Sequence, residues 1–469
     1  MSGLFGVVAE KNCPEILFYG TDYHSHLGAK RAGLAVLNNQ IERSIHNIST
    51  SQFKSKFIDE LSQLKGSAGI GVISDSEPQP IIITSSFGTF GLVFNGLLAN
   101  KDKLTKSLMR RGKSFSEMSS GQINSVEVAG KMIASQKNIL AGVKHFFDNM
   151  TGSASMLILA KEGVYAIRDK LGRTPLVVAK KVRQLAVASE NSAFANLGFE
   201  PIKELLPGEV VLLTKRGLKV KAVGKKNDEK ICAFLWIYNG FPASSYDGQS
   251  VELVRERSGK NLAKNDQIEA DLVSGVPDSG IAHALGYAKA SGIPYRRPLV
   301  KYTPGYGRSY TPLKQTTRDQ IAKMKLIANK EVVKEKKIII CDDSIVRGTQ
   351  LKNQGVNKLW QAGAKEIHGR IACPPLMFPC QYCLATRTRK ELITRRVLAQ
   401  LVGKKVDDDQ AKKYSDDKSK EYQKMICLIS KELGLTSLKY QTVDDMVAAI
   451  GLPKKRLCLE CWLGKERKK

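Results

Sequence analysis

The chain has 469 residues, more than one hydrophobic core of ordinary size serves, so two or three domains are expected. Its 42% hydrophobic content is that of a globular protein, and no apolar run reaches membrane-spanning length, which excludes a membrane-embedded role. The formal net charge of +29 is spread along the chain without a nucleic-acid motif, so nucleic acid is not an expected partner, whereas small polyanionic substrates would benefit from the field.

The N-terminus, MSGLFGVV, has no basic region before its apolar stretch and reads as a strand, not a signal peptide; a cytoplasmic location is the expectation. Short apolar segments follow at 69–73, 80–84, 90–94, 156–160, 164–167, 176–179 and 210–213, after the first at 4–8. Glycines and charged turns separate them, so residues up to 225 read as a β-rich layered or sandwich domain. The polar stretch 49–65 looks helical. A charged connector at 226–231 leads to Cys232, which taken alone reads as a core residue.

From residue 267 the pattern becomes βαβ. A strand at 270–276 runs into Pro277-Asp278-Ser279-Gly280, a turn that can present backbone N–H groups, and a helix at 281–291 stops at Gly292. Lys301, Gly305, Gly307 and Arg308 suggest a loop that closes over a polyphosphate with two cations. Then comes KIIICDDSIVRGTQ at 337–350. Ile338, Ile339 and Ile340 read as a buried strand, followed by Asp342 and Asp343. Ser344, Arg347, Gly348 and Thr349 lead towards a helix. In open α/β sheets ligands sit at the carboxyl ends of strands, and a small-residue loop before a helix offers N–H groups to an anion. The two acids would repel that anion, so they suit sugar hydroxyls or the outer shell of a magnesium ion. The combination reads as a sugar-phosphate site. A helical stripe (Val356, Leu359, Trp360, Ala364) and a strand at 368–372 complete a doubly wound pattern.

The nine cysteines include two CxxC pairs, Cys380 with Cys383 and Cys458 with Cys461. A reducing compartment argues against disulfides and for a metal site. Spacing alone does not choose between zinc and an iron–sulfur cluster. Cys13, Cys341, Cys373 and Cys427 read as core residues, and the charged stretch 386–425 as a solvated helix and insertion.

KIIICDDSIVRGTQ closely resembles the phosphoribosylpyrophosphate (PRPP) motif of type I phosphoribosyltransferases, and GVPDSG with ALGYAKASGIPY resembles the pyrophosphate loop and helix of the amidophosphoribosyltransferase family. MSGLFGVV, YHSHLGAKRAG, FNG, RDKLGRTPL, ASE and LPGEVV resemble that family's class II glutamine amidotransferase domain, an N-terminal-nucleophile fold. The resemblance implies an α/β protein: an Ntn-hydrolase-like glutaminase sandwich at 2–225, a type I phosphoribosyltransferase doubly wound domain at 232–445, and a C-terminal segment at 446–469 carrying two cluster cysteines. It implies that Asp278, Ser279, Gly280, Lys301, Arg308, Lys325, Asp342, Asp343, Ser344, Arg347, Gly348 and Thr349 bind PRPP with magnesium. It also implies a 4Fe-4S cluster of the Bacillus-type subgroup on Cys232, Cys380, Cys458 and Cys461, with zinc as the rival.

The glutaminase motifs depart from the family pattern. The nucleophile cysteine after the initiator methionine is Ser2 here, His-Arg-Gly is His26-Leu27-Gly28, and the arginine that clamps the glutamine carboxylate is Ser74. Asn95 and Gly96, the oxyanion-hole pair, are retained; their plain structural reading is a tight turn. The loop 301–308 lacks the family's asparagine and carries one extra residue. The expected activity is phosphoribosyl transfer from PRPP to ammonia, giving phosphoribosylamine, without an active glutaminase of its own. The alternatives are a catalytically dead PRPP-binding regulator or scaffold and a phosphoribosyltransferase for another amine. A separate glutaminase partner and a homo-oligomer are also expected.

Overall fold

A computed structural model describes residues 2–75, 77–119, 121–264, 266–302, 325–382, 386 and 388–465. The chain divides into two compact units. The first comprises Met1–Ile231, Ser245–Asp247 and Gln381–Leu384; the second comprises Cys232–Ser244, Gly248–Cys380 and Ala385–Lys469.

The first unit is built on two antiparallel sheets. The seven-stranded sheet runs in the order Glu200–Glu204, Val177–Lys181, Gln184–Ala188, Gly3–Val8, Ala68–Ser74, Arg31–Leu37, Ile41–Asn47. The six-stranded sheet runs Gly217–Ala222, Val210–Thr214, Gly163–Ile167, Gly152–Ala160, Gly88–Leu98, Ile81–Ser85. Strand alternation divides the apolar side chains between layers. Leu4 and Val8 meet Val93, Leu157 and Val211 between the sheets, while Phe5 and Val7 face Leu17, Phe18 and Phe57 of covering helices. Helices Ser125–Ala134 and Ile139–Asn149 cover the outer face of the second sheet through Val128, Met132, Val143 and Phe146. The result is the expected sandwich, with helical outer layers that the apolar segments did not reveal. Helix Phe53–Leu61 lies inside the stretch read as helical. RDKLGRTPL forms a buried turn: Arg168 Nη2 donates to Gly172 O (2.8 Å) and pairs with Glu229, and the Asp169 carboxylate accepts from the Leu171 and Arg173 N–H groups.

The second unit carries a parallel sheet in the order Leu272–Gly275, Lys337–Asp342, Glu366–Ile371, Ser437–Tyr440. Ile339, Cys341 and Val273 pack with Leu262, Ala284 and Tyr287 of the helices Val251–Lys264 and Ile281–Ser291. Those helices approach closely because each has glycine at the contact: a methyl on Gly259 would lie 1.8 Å from His283 O, and one on Gly286 would lie 1.9 Å from Glu256 O. In the aromatic segment after Cys232, Leu235–Asn239 is a π-helical turn, held by Arg255, whose guanidinium donates to Trp236 O, Tyr238 O and Gly240 O.

Two sequence expectations are corrected here. Cys427 is exposed on helix Lys420–Leu433 rather than in the core. The charged stretch is more than a solvated insertion. Helix Ile393–Val402 buries Ile393, Val397 and Leu398, an apolar stripe hidden in composition by the arginines that surround it. None of the described helices is long and apolar enough to cross a membrane.

The strand Glu366–Ile371 sends Arg370 into the interior, where it pairs with Asp266; both side chains are about 95% or more buried, at 2% and 5% exposure. Burial raises the Asp266 carboxyl, but hydrogen bonding and charge from Arg370 outweigh it, leaving the carboxyl below its ordinary range. This contribution is therefore complete above the unfolded carboxyl value and is lost as pH falls through the lower folded value. Asp266→Asn strands a buried guanidinium and should cost about 3 to 5 kcal/mol in chemical denaturation at neutral pH, with the difference from wild type shrinking in acid.

Candidate functional site

The candidate anion site lies at the carboxyl ends of two neighbouring parallel strands. The register pairs Gly275 with Cys341, and Val276 N donates to Cys341 O (2.9 Å), so the turn 277–280 and the acidic loop start side by side. A methyl on Gly280 would lie 2.4 Å from Cys341 O, which requires glycine there. Ser279 lies close enough to Asp343 to favour its charged form, so the two loops adjoin. Ser344 Oγ also donates to Asp343 Oδ2 (2.6 Å), and Asp343 N donates to Asp342 Oδ1 (2.9 Å).

Both acids are buried. Burial first, and then the neighbouring Asp343, push Asp342 well above the ordinary carboxyl range. Burial raises Asp343 as well, opposed by its hydrogen bonds to Ser279, Ser344 and Asp342 and by the nearby Arg255 cation. Two carboxylates in one dry pocket cannot both carry charge without a counterpart, so they hold a proton or accept donors such as hydroxyls and cation-bound water. The sequence offered no pointer to Arg255, which lies far away in the chain and whose charge bears on Asp343 only through the fold.

Asp278 is exposed and forms an ion pair with Lys301. Lys301 ends the strand Leu299–Lys301, which pairs with Leu326–Ala328; Tyr302 N donates to Lys325 O (2.9 Å), so Lys301 and Lys325 share one end of this ribbon. Arg308, Gly305, Gly307, Gln315 and Arg318 lie outside the described residues. Gly348 adopts φ +78°, and Arg347 and Thr349 are exposed at the loop.

In the first unit, Gly3 opposite Ile73 brings Ser2 alongside Ser74 across adjacent strands. Ser2 N donates to Asn95 Oδ1 (3.0 Å) and Ser2 Oγ to Ser74 Oγ (3.3 Å). Ser2 and Ser74 are both buried. Asn95 and Gly96 lie within the strand Gly88–Leu98, not in a tight turn; a methyl on Gly96 would lie 1.9 Å from Ser153 O. His26 Nε2 pairs with Glu190 at 2.8 Å, and Tyr246 donates to the same carboxylate at 2.6 Å. Tyr246 belongs to a motif-free segment, which is why it escaped notice in the sequence.

Four cysteines converge in the second unit. Ala233 N donates to Cys458 O (3.5 Å), Met377 N and Phe378 N donate to Cys461 O (both 3.0 Å), and Cys380 N donates to Thr386 O (2.8 Å). Phe234 stacks on Trp462 with ring centroids 5.1 Å apart. The Cys461 thiol is pushed well above its ordinary value, first by a hydrogen bond with Cys380, then by burial, and further by Cys232 and Cys458. Thiols placed so close resist ionisation in turn, and a cationic centre relieves that repulsion. Among the described residues no group of three or more His, Cys, Asp or Glu is gathered as a single-ion metal site. Cys383 lies outside the described residues.

A family model described as a glutamine amidotransferase domain matches residues 67–196. The amidophosphoribosyltransferase of Methanocaldococcus jannaschii is 31% identical over 493 residues, covering 99% of this chain and 97% of that protein. That of Bacillus subtilis is 30% identical, covering 99% and 93%. The structure of the B. subtilis glutamine PRPP amidotransferase complexed with ADP and GMP matches with a TM-score of 0.83 at 29% identity, covering 99% of this chain and 96% of that one.

Beside Glu190, His24 is fully buried with its Nδ1 2.9 Å from Gly20 O. Burial, only partly offset by the Glu190 charge, lowers its pKa from 6.5 to about 4. The unfolded chain therefore takes up a proton on His24 as pH falls below about 6.5, while the fold does not. Stability should fall by up to about 3 kcal/mol between neutral pH and about pH 4 from this group. Thermal melts across that range should show a shallower acid loss for His24→Gln than for wild type.

Proposed function

The chain belongs to the amidophosphoribosyltransferase family, and from that premise we propose that it binds PRPP with magnesium and transfers the phosphoribosyl group to ammonia, giving phosphoribosylamine, without hydrolysing glutamine itself. The observation that carries the transferase reading is that the turn 277–280 and the acidic loop start side by side at the ends of adjacent parallel strands. A pyrophosphate loop and a sugar-phosphate loop are useful to one substrate only if they are neighbours.

In this reading Asp342 and Asp343 accept the ribose hydroxyls, and their raised affinity for protons makes them good partners for those donors. Ser344, Arg347, Gly348 and Thr349 cradle the sugar phosphate, with the loop backbone and the guanidinium as donors. Asp278, Ser279 and Gly280 place the pyrophosphate, and Lys301, with Lys325 and Arg308, supplies positive charge. A bound magnesium ion would share the pyrophosphate charge. The bond from the anomeric carbon to pyrophosphate breaks as the ammonia lone pair forms the new C–N bond. The sugar carries positive charge in between, so positioning and charge matching do most of the work and no side-chain nucleophile is needed. Asp343→Ala should weaken PRPP binding about 10- to 100-fold by calorimetry, the scale of a hydrogen bond to a charged group.

The absence of glutaminase activity is supported by Ser2, Leu27 and Ser74. A hydroxyl ionises far less readily than a thiol. The Ser2 hydroxyl meets Ser74 rather than a cation able to orient a carboxylate. With PRPP and magnesium, pyrophosphate should be released with ammonium salts and not with glutamine. Release with glutamine would overturn the claim of a silent glutaminase. Release only with another amine would reassign the acceptor, and PRPP binding without release under any donor would point to a regulatory homologue.

Cys232, Cys380, Cys458 and Cys461 would hold a 4Fe-4S cluster, consistent with the crowding of their thiols around Cys461. When bound, it would tie distant chain regions together and stabilise the fold. Anaerobically purified protein should be brown, with about four irons and four sulfides per chain. A colourless protein with about one zinc per chain would assign the thiols to zinc.

A further inference from the structure

Glu391 comes from the charged stretch after the first CxxC pair, yet its carboxylate reaches the acidic loop's guanidinium, Arg347. We propose that Glu391 is a positioning residue that presents Arg347 to the sugar phosphate; this rests on the PRPP reading above.

Both carboxylate oxygens are committed. Oε1 accepts from Arg347, while Oε2 accepts from Thr388 N (3.2 Å) and Thr388 Oγ1 (3.1 Å), closing a capping box over the turn Arg389–Glu391. The acid that grips Arg347 is thus itself anchored by its own backbone. The same segment fixes the loop on either side. Ile393 N donates to Val346 O (2.7 Å), and Arg396 Nη2 donates to Arg347 O (3.2 Å) while pairing with Glu432. At Gly348 a methyl would lie 2.7 Å from Ile393 Cδ1 and 2.8 Å from Leu433 Cδ2. Val346, Arg347 and Gly348 are therefore held from helices Ile393–Val402 and Lys420–Leu433 or from the turn before them.

Stability is a weak reason for such a pair. Arg347 is 63% exposed, and exposed ion pairs contribute little. Orientation is a better one. A guanidinium has five donors, so the edge given to Glu391 leaves others for phosphate oxygens. Without the carboxylate, phosphate would have to order a long, mobile side chain on binding, which lowers affinity by about tenfold. The opposing effect is repulsion between Glu391 and the phosphate. It is damped because Arg347 neutralises the carboxylate at contact distance and solvent screens the remainder.

Calorimetry on the full chain tests this with three probes: PRPP with magnesium, ribose-5-phosphate, and pyrophosphate with magnesium. Glu391→Gln should weaken PRPP and ribose-5-phosphate about tenfold, leave pyrophosphate unchanged, and barely move the melting temperature. In an Arg347→Ala background the same substitution should have no further effect on ribose-5-phosphate, because Glu391 acts through Arg347. Unchanged or tighter ribose-5-phosphate binding in Glu391→Gln overturns the positioning role. So does equal weakening of pyrophosphate, or an effect that persists without Arg347. A wild-type chain that binds no PRPP sinks the sugar-phosphate reading and this inference together; wild-type binding with an insensitive Glu391 sinks the inference alone.

Discussion

The parallel register of Leu272–Gly275 against Lys337–Asp342 is the constraint on which the candidate transferase site depends. It sets Gly275 beside Cys341, so both strands release their loops at the same level. A slip of one residue would turn the side chains to opposite faces and separate Ser279 from Asp343. The register is secured by burial: Val273, Ile339 and Cys341 all face the same apolar cluster, and a shifted strand would expose them. The dry surroundings that make this packing stable also make the two acids reluctant to ionise. Stability and chemistry here share one cause.

The first unit is held together by buried apolar layers and by local hydrogen bonds. Its sandwich core needs only shape and backbone pairing, while the buried RDKLGRTPL turn and the Ser2–Asn95 bond rest on the side chains of Arg168, Asp169 and Asn95. A Ser at position 74 satisfies those demands as well as any small residue: it is fully buried and bonded to Ser2. An arginine there would need room and a counter-charge. The His26–Glu190–Tyr246 cluster keeps a buried carboxylate ionised below its ordinary range despite desolvation, by pairing it with His26 and Tyr246.

Charge in this protein is a poor guide to solvent exposure. Arg370, Arg255 and Arg395 are all buried, each with carbonyl or carboxylate partners. Arg395 donates to Asp407 O (3.0 Å) and pairs with Asp408, the start of a capped helix in the stretch that composition alone makes look like a solvated insertion. Long guanidinium side chains can lie along apolar surface and end on acceptors supplied by the backbone, so arginine-rich stretches can be structural.

The sequence by itself determined the strand Lys337–Asp342, the helix Ile281–Ser291 and its stop at Gly292, because those features are local: backbone conformation, periodicity and small-residue turns act over a few neighbouring residues. It did not determine the strands Arg31–Leu37, rich in glycine and alanine, or Ile41–Asn47, where Glu42 and Arg43 interrupt the pattern; pairing across the sheet supplies the preference in both. Nor did it show that Asn95 and Gly96 are strand residues, that Cys427 is exposed, that the Arg255 charge bears on Asp343, or that Glu391 reaches Arg347. Those facts are long-range. Glu391 stands 44 residues from Arg347 in the chain, and only the packing of two helices onto the loop brings the carboxylate to the guanidinium.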